Sequence, residues 1–286
     1  MIEILVALLI SSLVVSGIFQ VMQGNSRFVE MQSAREEVQQ NARAALDLIA
    51  GDLRGVPPGA ISVMEAERIR FFQPRAWGVL CNTLKPASST AWVLFPADVV
   101  PNETLFGRPH WGLAMEQTVD PLVHTGTFRF IAAPTQATST DPCDAIQPSA
   151  SADRVRRGFV TPGAPFVTAD SIAPGSQVLL YEEVQYDVAT SVTSGVPGSW
   201  IRRMVGYTGS TPNMQPMAGP VPAAGALRFT YLQADGITPA VTPAQVRRIG
   251  IELVTQSRAM SNASGTLQPQ QVDSASTTVY LRNIPG

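Results

Sequence analysis

MIEILVALLISSLVVSGIFQVMQ, residues Met1–Gln23, is the stretch from which the rest of the chain is read. From Ile4 to Gln23 it carries no charge, and Arg27 is the first cation. About 20 residues at 1.5 Å each match the roughly 30 Å hydrocarbon core of a bilayer. A cleaved signal peptide would place basic residues before the apolar run and a small-residue cleavage site after it. This segment has neither and passes without a break into a polar helix, so it is expected to be retained. Glu3 is the one charge at its edge. A carboxylate near a membrane span is costly and usually has a partner; the alternative is that it lies unpaired among headgroups.

Beyond the apolar run, Phe28, Met31, Val38, Ala42, Ala45, Ile49 and Leu53 recur at spacings of three, four or seven, which predicts one apolar helical stripe. Glu30, Arg35, Glu36, Gln39, Gln40, Arg43, Asp47 and Arg54 fall on the other face. Gly55, Pro57, Pro58 and Gly59 then end the helix. The whole would be about 80 Å long. One half is for lipid or an apolar filament core, and the other has a stripe to bury against a globular head. Gly17 and Gly24 are its expected weak points.

After Gly59 the pattern becomes period two. Arg68–Gln73, Trp92–Phe95 and Thr127–Ile131 read as short strands. Residues 134–153, rich in Ser, Thr, Pro and Asp, read as a loop. Alternation is clearer later: Val184, Tyr186 and Val188 against Gln185 and Asp187, then Trp200, Arg202 and Met204 against Ile201, Arg203 and Val205. Leu227, Phe229 and Tyr231 share a face, as do Ile249, Ile251 and Leu253, and then Val279 and Leu281. Turn signals stand at Pro197-Gly198 and Asp235-Gly236. An antiparallel sheet with one face on a core, covered by the long helix, gives an α+β head.

Composition agrees. Apolar residues are 45% and charged residues 15%, with 23 Pro and 22 Gly, a balance that supports a core and many turns and argues against disorder. The two cysteines, Cys81 and Cys143, would close one loop of roughly 60 residues if the chain is exported; two separate buried thiols are the alternative.

Signatures of catalysis are missing. His110 and His124 are far apart, with no zinc-type pattern, no paired-cysteine motif and no phosphate loop or nucleophile elbow. Glu182-Glu183 and Asp141/Asp144 read as solvated charges rather than a cation site. No enzyme activity, metal or cofactor is expected. The net charge of −2 gives no global attraction to nucleic acid. Arg154, Arg156 and Arg157 and the pairs Arg202-Arg203 and Arg247-Arg248 could touch phosphates, but neighbours on a strand point to opposite faces, so each pair offers one arginine per side.

MIEILVALLISSLVVSG resembles the start of type IV pilins and type II secretion pseudopilins, whose mature chains open with an aromatic residue, two further residues, then Ile-Glu and an apolar helix. Gln39–Arg54 (QQNARAALDLIAGDLR) is similar to the helix of PilW-like minor pilins and, less closely, of J-type minor pseudopilins, and Thr277–Asn283 (TTVYLRN) to the closing strand of both. The resemblance covers the first 54 residues and, more loosely, the last 60. It implies a type IV pilin-like fold in three parts: 1–26 as membrane and filament-core helix, 27–56 as amphipathic helix, and 57–286 as β-rich head.

The resemblance also implies a basic leader removed by a prepilin peptidase, which places the mature start two residues before Met1. It implies that Glu3 pairs with the N-terminal amine of a neighbouring subunit. Ile4, Leu5, Val6, Leu8, Leu9, Ile10, Leu13, Val14, Val15, Ile18 and Phe19 would pack in the membrane and then the filament core. The implied partners are other major and minor pilins. The implied location is the bacterial inner membrane, head outside the cytoplasm, and then the pilus. The helix-kinking proline of many major pilins is missing from Ile18–Met22. A pseudopilin role, or a tip-displayed adhesive or DNA-contacting module around Cys81 and Cys143, are the alternatives.

Overall fold

The computed structural model describes residues 2–57, 59–86, 88–96, 111–118, 120, 122, 128–132, 135–136, 143, 154–160, 171–193, 196–205, 213–257 and 270–281. These form α1 (Ile2–Arg54), then β1 (Ile61–Met64), β2 (Ile69–Leu80), β3 (Thr90–Pro96), β4 (Trp111–Glu116), β5 (Phe128–Ala132) and β6 (Thr135–Gln136). β7 (Arg154–Val160), β8 (Gln177–Thr193), β9 (Val196–Val205), β10 (Asn213–Val221), β11 (Leu227–Leu232), β12 (Arg248–Gln256) and β13 (Val272–Tyr280) follow. The class is α+β, with every strand pair antiparallel.

α1 is a single helix of 53 residues, uninterrupted at Gly17 and Gly24. Leu13, Gln20, Met22, Gln23 and Arg27 near them are strong helix formers, so the local cost is mainly the ~1 kcal/mol of each glycine relative to alanine. Its buried stripe is Ala34, Val38, Ala42, Ala45, Leu46, Ile49, Ala50 and Leu53. The sequence periodicity extended this stripe down to Phe28 and Met31, but both are about half exposed, at 53% and 50%. They lie on the stripe's side of the helix, one and two turns below the point where burial begins at Ala34. After Arg54 the chain turns, Val56 N–H bonding to the Leu53 carbonyl at 3.1 Å. Pro58, one of the expected stop signals, lies outside the described residues.

Two long strands form the spine of the head. β2 runs antiparallel to β8, from Ile69 beside Tyr186 to Val79 beside Gln177. The strand expected at Arg68–Gln73 therefore continues to Leu80. Pro74, which has no N–H for a ladder, is accommodated by a register shift between Pro74 and Ala76. At one end of the spine β1 flanks β2 and β9 flanks β8; at the other end β3 and β4 take those places. β10 lies outside β9, β5 outside β4, and β7 and β6 outside β3, giving a sheet of ten strands. Gly112 lets β4 lie close to β8, since a Cβ there would strike the Tyr181 ring.

Pro197-Gly198, read as a turn, lies inside β9, paired with Val192 and Ser191. The tight connection lies instead between Thr193 and Val196, which pair with each other; its two residues are outside the described set. Asp235-Gly236 does make a turn, with Gly236 at φ +73° and its N–H on the Gln233 carbonyl at 3.0 Å. The strand expected at Thr127–Ile131 is β5, apart from Thr127, which is not described; of the expected loop 134–153, only Thr135–Gln136 and Cys143 are.

The spine serves two cores. The first joins α1 to Ile69, Phe71, Val184, Tyr186 and Ile201 of the large sheet and to a separate sheet ordered β11-β12-β13. From the latter come Leu227, Phe229, Ile249, Ile251, Leu253 and Val279, all on the faces that alternation assigned to the core. The second core holds Ala76, Leu80, Val93, Phe95, Trp111, Leu113, Met115, Phe159, Val178 and Leu180, and no residue of α1. Among the described residues the head thus has a half backed by α1 and a half whose core has no residue of α1.

Burial on α1 sets a gradient that mutation can read. Ile49→Ala and Leu53→Ala, both at fully buried positions, are expected to cost about 2–5 kcal/mol each. Leu48→Ala, at a position 47% exposed, is expected to cost within about 0.5 kcal/mol. Urea unfolding of a chain beginning at Arg27, which keeps every buried helix residue, measures the difference.

Candidate functional site

The feature without an internal partner is the first half of α1. Ile4, Val6, Leu9, Ile10, Leu13, Val14, Val15, Ile18 and Phe19 are each 52–66% exposed. The side chains of Leu5 and Leu8 lie outside the described set. Covering such a side chain is worth about 1.5–3 kcal/mol, so this surface is suited to an apolar surrounding. Among the described residues α1 is the one helix long and apolar enough to cross a membrane. From residue 2 to residue 33, where the head begins, it measures about 48 Å, against roughly 30 Å for a bilayer core. A bilayer spanned by the apolar half would leave a neck carrying exposed Phe28, Val29 and Met31 below the head. Glu3 is exposed in the first turn, where the partial positive charge of the helix N-terminus favours a carboxylate.

The other end of α1 is fixed by a polar cluster that the periodicity did not reveal. Asp52 accepts from the Tyr186 hydroxyl at 2.5 Å, from Gln73 Nε2 at 2.6 Å and from Arg203 Nε at 2.9 Å. A second nitrogen of Arg203 donates to Gln73 Oε1 at 3.0 Å. Helix, β2, β8 and β9 thus meet at one carboxylate. Its signal was faint: Asp52 sits next to Leu53 and three residues after Ile49, at the edge of the buried stripe. Burial, and after it the charge of Asp52, push the Tyr186 phenol well above its ordinary pKa.

The opposite face of the sheet carries a second ladder. Gln185 and Asp187, read as outward polar residues, are buried there. Gln185 accepts from Arg70 Nε at 2.9 Å and donates to Asp187 Oδ2 at 2.9 Å, and Arg202 holds the same carboxylate with bonds of 2.5 and 3.0 Å. Ser62 bonds Glu183 on this face at 3.1 Å, whereas Glu182, on the face of Tyr186, pairs with Arg75 at 3.0 Å; both glutamates, read as solvated charges, are buried. Arg202 and Arg203 do point to opposite faces, and both are spent within the head. Arg247 donates to the carbonyls of Ala244 and Val246, and the Arg248 guanidinium lies 4.4 Å from the centre of the Tyr280 ring. The side chains of Arg154, Arg156 and Arg157, together with His110, His124, Asp141 and Asp144, are outside the described set. Among the described residues no cluster of His, Cys, Asp or Glu could hold a metal ion.

Cys81 and Cys143 are joined as a disulfide, with Cα atoms 5.1 Å apart. The bond packs with Trp92, Leu94 and Val79 beside the second core. Cys81 N–H bonds to the Trp92 carbonyl at 2.8 Å, and the Asn82 side chain takes the Trp92 N–H at 2.7 Å and donates to the Thr90 carbonyl at 3.1 Å. The crosslink closes a span of 62 residues, which the chain-entropy relation makes worth about 4 kcal/mol.

Two outcomes follow from these contacts. Without reductant neither cysteine should take up a thiol label; after reduction both should, and the urea midpoint should fall. Labelling of both in the oxidised protein counts against the bond. The second outcome concerns alkali. Burial, before any other cause, raises the phenol pKa values of Tyr181, Tyr186 and Tyr231. Their stabilising contribution is complete below the unfolded value of about 10 and is lost as pH rises above it, by up to about 1.4 kcal/mol per pH unit for each tyrosine. Tyrosinate absorbance from these three should therefore appear only with unfolding, and Tyr186→Phe should flatten the alkaline limb. Titration of all tyrosines near pH 10 in the folded head would refute this.

No protein-family model, curated protein or solved structure matches the chain, so its functional reading rests on its own residues and geometry.

Proposed function

We propose that this chain is a minor pilin: a type IV pilus subunit that helps to initiate or cap the filament by packing the first half of α1 among those of other pilins. The observation that carries the reading is a single unbroken helix whose N-terminal half is apolar and exposed and whose C-terminal half is a structural part of the head. Such a helix can sit in a bilayer and then exchange lipid for other helices of the same kind. Before assembly the head would stand outside the inner membrane, a compartment in which a disulfide persists. Glu3 would pair with the N-terminal amine of a neighbouring subunit. A carboxylate among packed apolar helices is tolerated when paired, and its loss leaves the amine unpaired. A prepilin peptidase would prepare that amine. The role is one of assembly, with no catalysis proposed.

Two other readings have some support. The same anchor fits a minor pseudopilin of a type II secretion system, a short piston in place of a surface fibre. The disulfide-tied half of the head, with its own core, suits display of an adhesive surface. Nucleic acid is less favoured, because Arg202, Arg203, Arg247 and Arg248 are engaged internally.

Glu3→Val is expected to leave membrane insertion intact and to reduce incorporation into sheared filaments at least tenfold. Wild-type incorporation would remove the pairing from the account. Mass spectrometry of the mature N-terminus is expected to find an N-methylated aromatic residue two positions before Met1. A deletion strain that keeps its pili but fails to secrete would move the assignment to the secretion piston.

A further inference from the structure

Most strand edges among the described residues are closed to further pairing. β10 carries Pro216 and Pro220 and loses register with β9 twice. β1 has four residues and an irregular register, and β6 has two residues. The outer edge of β11 is met by the turn before β2: Phe229 N–H bonds to the Ala66 carbonyl at 2.7 Å and the Tyr231 hydroxyl to the Glu65 carbonyl at 2.9 Å. These are the usual ways in which an edge is kept from recruiting another chain.

β13 has none of them. It holds register with β12 over nine residues, from Val272 beside Gln256 to Tyr280 beside Arg248, without a break. It contains no proline, glycine or lysine, and Asp273 is its only charge. Bonds at its two ends, Ser257 N–H to the Gln271 carbonyl at 2.7 Å and Leu281 N–H to the Arg247 carbonyl at 3.0 Å, set the odd-numbered residues toward β12. The backbone groups of Val272, Ser274, Ser276, Thr278 and Tyr280 therefore point to the free edge, and all five residues are exposed. Ser274 N–H has a local acceptor, Asp273 Oδ1 at 2.9 Å. Among the described residues no second strand pairs with β13.

We propose that the free edge of β13 is a strand-addition site, taking one extended segment of a second, different polypeptide through main-chain hydrogen bonds. A second copy in antiparallel pairing does not fit. The required twofold axis is normal to the sheet and would reverse α1, which packs on that sheet and bonds Val38 O to Thr255 Oγ1 at 3.1 Å. Two chains anchored by α1 in one bilayer cannot point in opposite directions. The anchored-helix reading enters only at this step. Side chains along the edge define the partner strand: Val272 and Tyr280 favour β-branched or aromatic residues at its ends, and Ser274, Ser276 and Thr278 favour small hydroxyl residues between, with no charge to oppose.

A synthetic peptide with the sequence of residues 271–281 is a suitable probe, because in antiparallel pairing about Ser276 it sets Val against Tyr and Ser against Thr. Added to the full chain in detergent, it is expected to slow amide exchange at Ser276, Thr278 and Tyr280 at least tenfold. Thr277 and Val279, already bonded to β12, should change little. Ser276→Pro removes an outward N–H without breaking the β12 ladder. It is expected to unfold at the wild-type urea concentration and to lose the peptide. Unchanged exchange at the three outward amides of the wild-type chain overturns the strand-addition site whatever the variant does. A dimer of the chain alone that protects those same amides overturns the choice of a different polypeptide.

Discussion

The contact on which the molecule depends is the seam between the last twenty residues of α1 and the first core. Val38, Ala42, Ala45, Leu46, Ile49 and Leu53 supply its apolar area, and at this seam the large sheet, the three-stranded sheet and the helix meet. Apolar contact fixes which side of the helix faces inward, but it leaves rotation and axial position weakly determined. Asp52 removes that freedom, since one carboxylate must satisfy donors on three strands at once. Removing it would leave Arg203, 14% exposed, without its counter-charge, a situation that typically costs 3–5 kcal/mol. The pin sits at the end of the helix remote from the apolar half, so a force applied to that half is carried along α1 into the strands.

The spine of β2 and β8 spreads the consequences of that seam. Its first half is held by α1; its second half, among the described residues, draws on aromatic packing, such as Phe95 and Trp111 against Phe159, and on the disulfide. Crosslinking is most useful where the core has fewest layers, because it lowers the entropy of the unfolded chain without needing extra buried area.

Two surfaces of different chemistry stand open among the described residues. The exposed half of α1 offers apolar area without direction, suited to lipid and to neighbouring helices. The edge of β13 offers directed backbone groups, with apolar side chains only at its two ends, suited to a single extended segment. Both belong to elements that pack on the first core, so whatever occupies them is coupled to the same rigid unit.

The sequence by itself determined whatever depends on near neighbours. The uncharged run before Arg27, the helix ending after Arg54, and the alternation through Val184, Tyr186, Ile249, Ile251 and Leu253 each arise from side-chain period and turn chemistry within a few residues. The pairing of Cys81 with Cys143 was open to reading because the chain has only two cysteines. Tertiary structure alone decided where burial on α1 begins, how β2 passes Pro74, that Gln185 and Asp187 are buried, and which strand edge stays open. It also decided that Asp52 meets Tyr186, 134 residues away, and Arg203, 151 residues away. A period of 3.6 or 2 states which face of an element is apolar, but not what covers it or for how far. That depends on which distant strands come to lie beside it, a choice made by the packing of the whole chain.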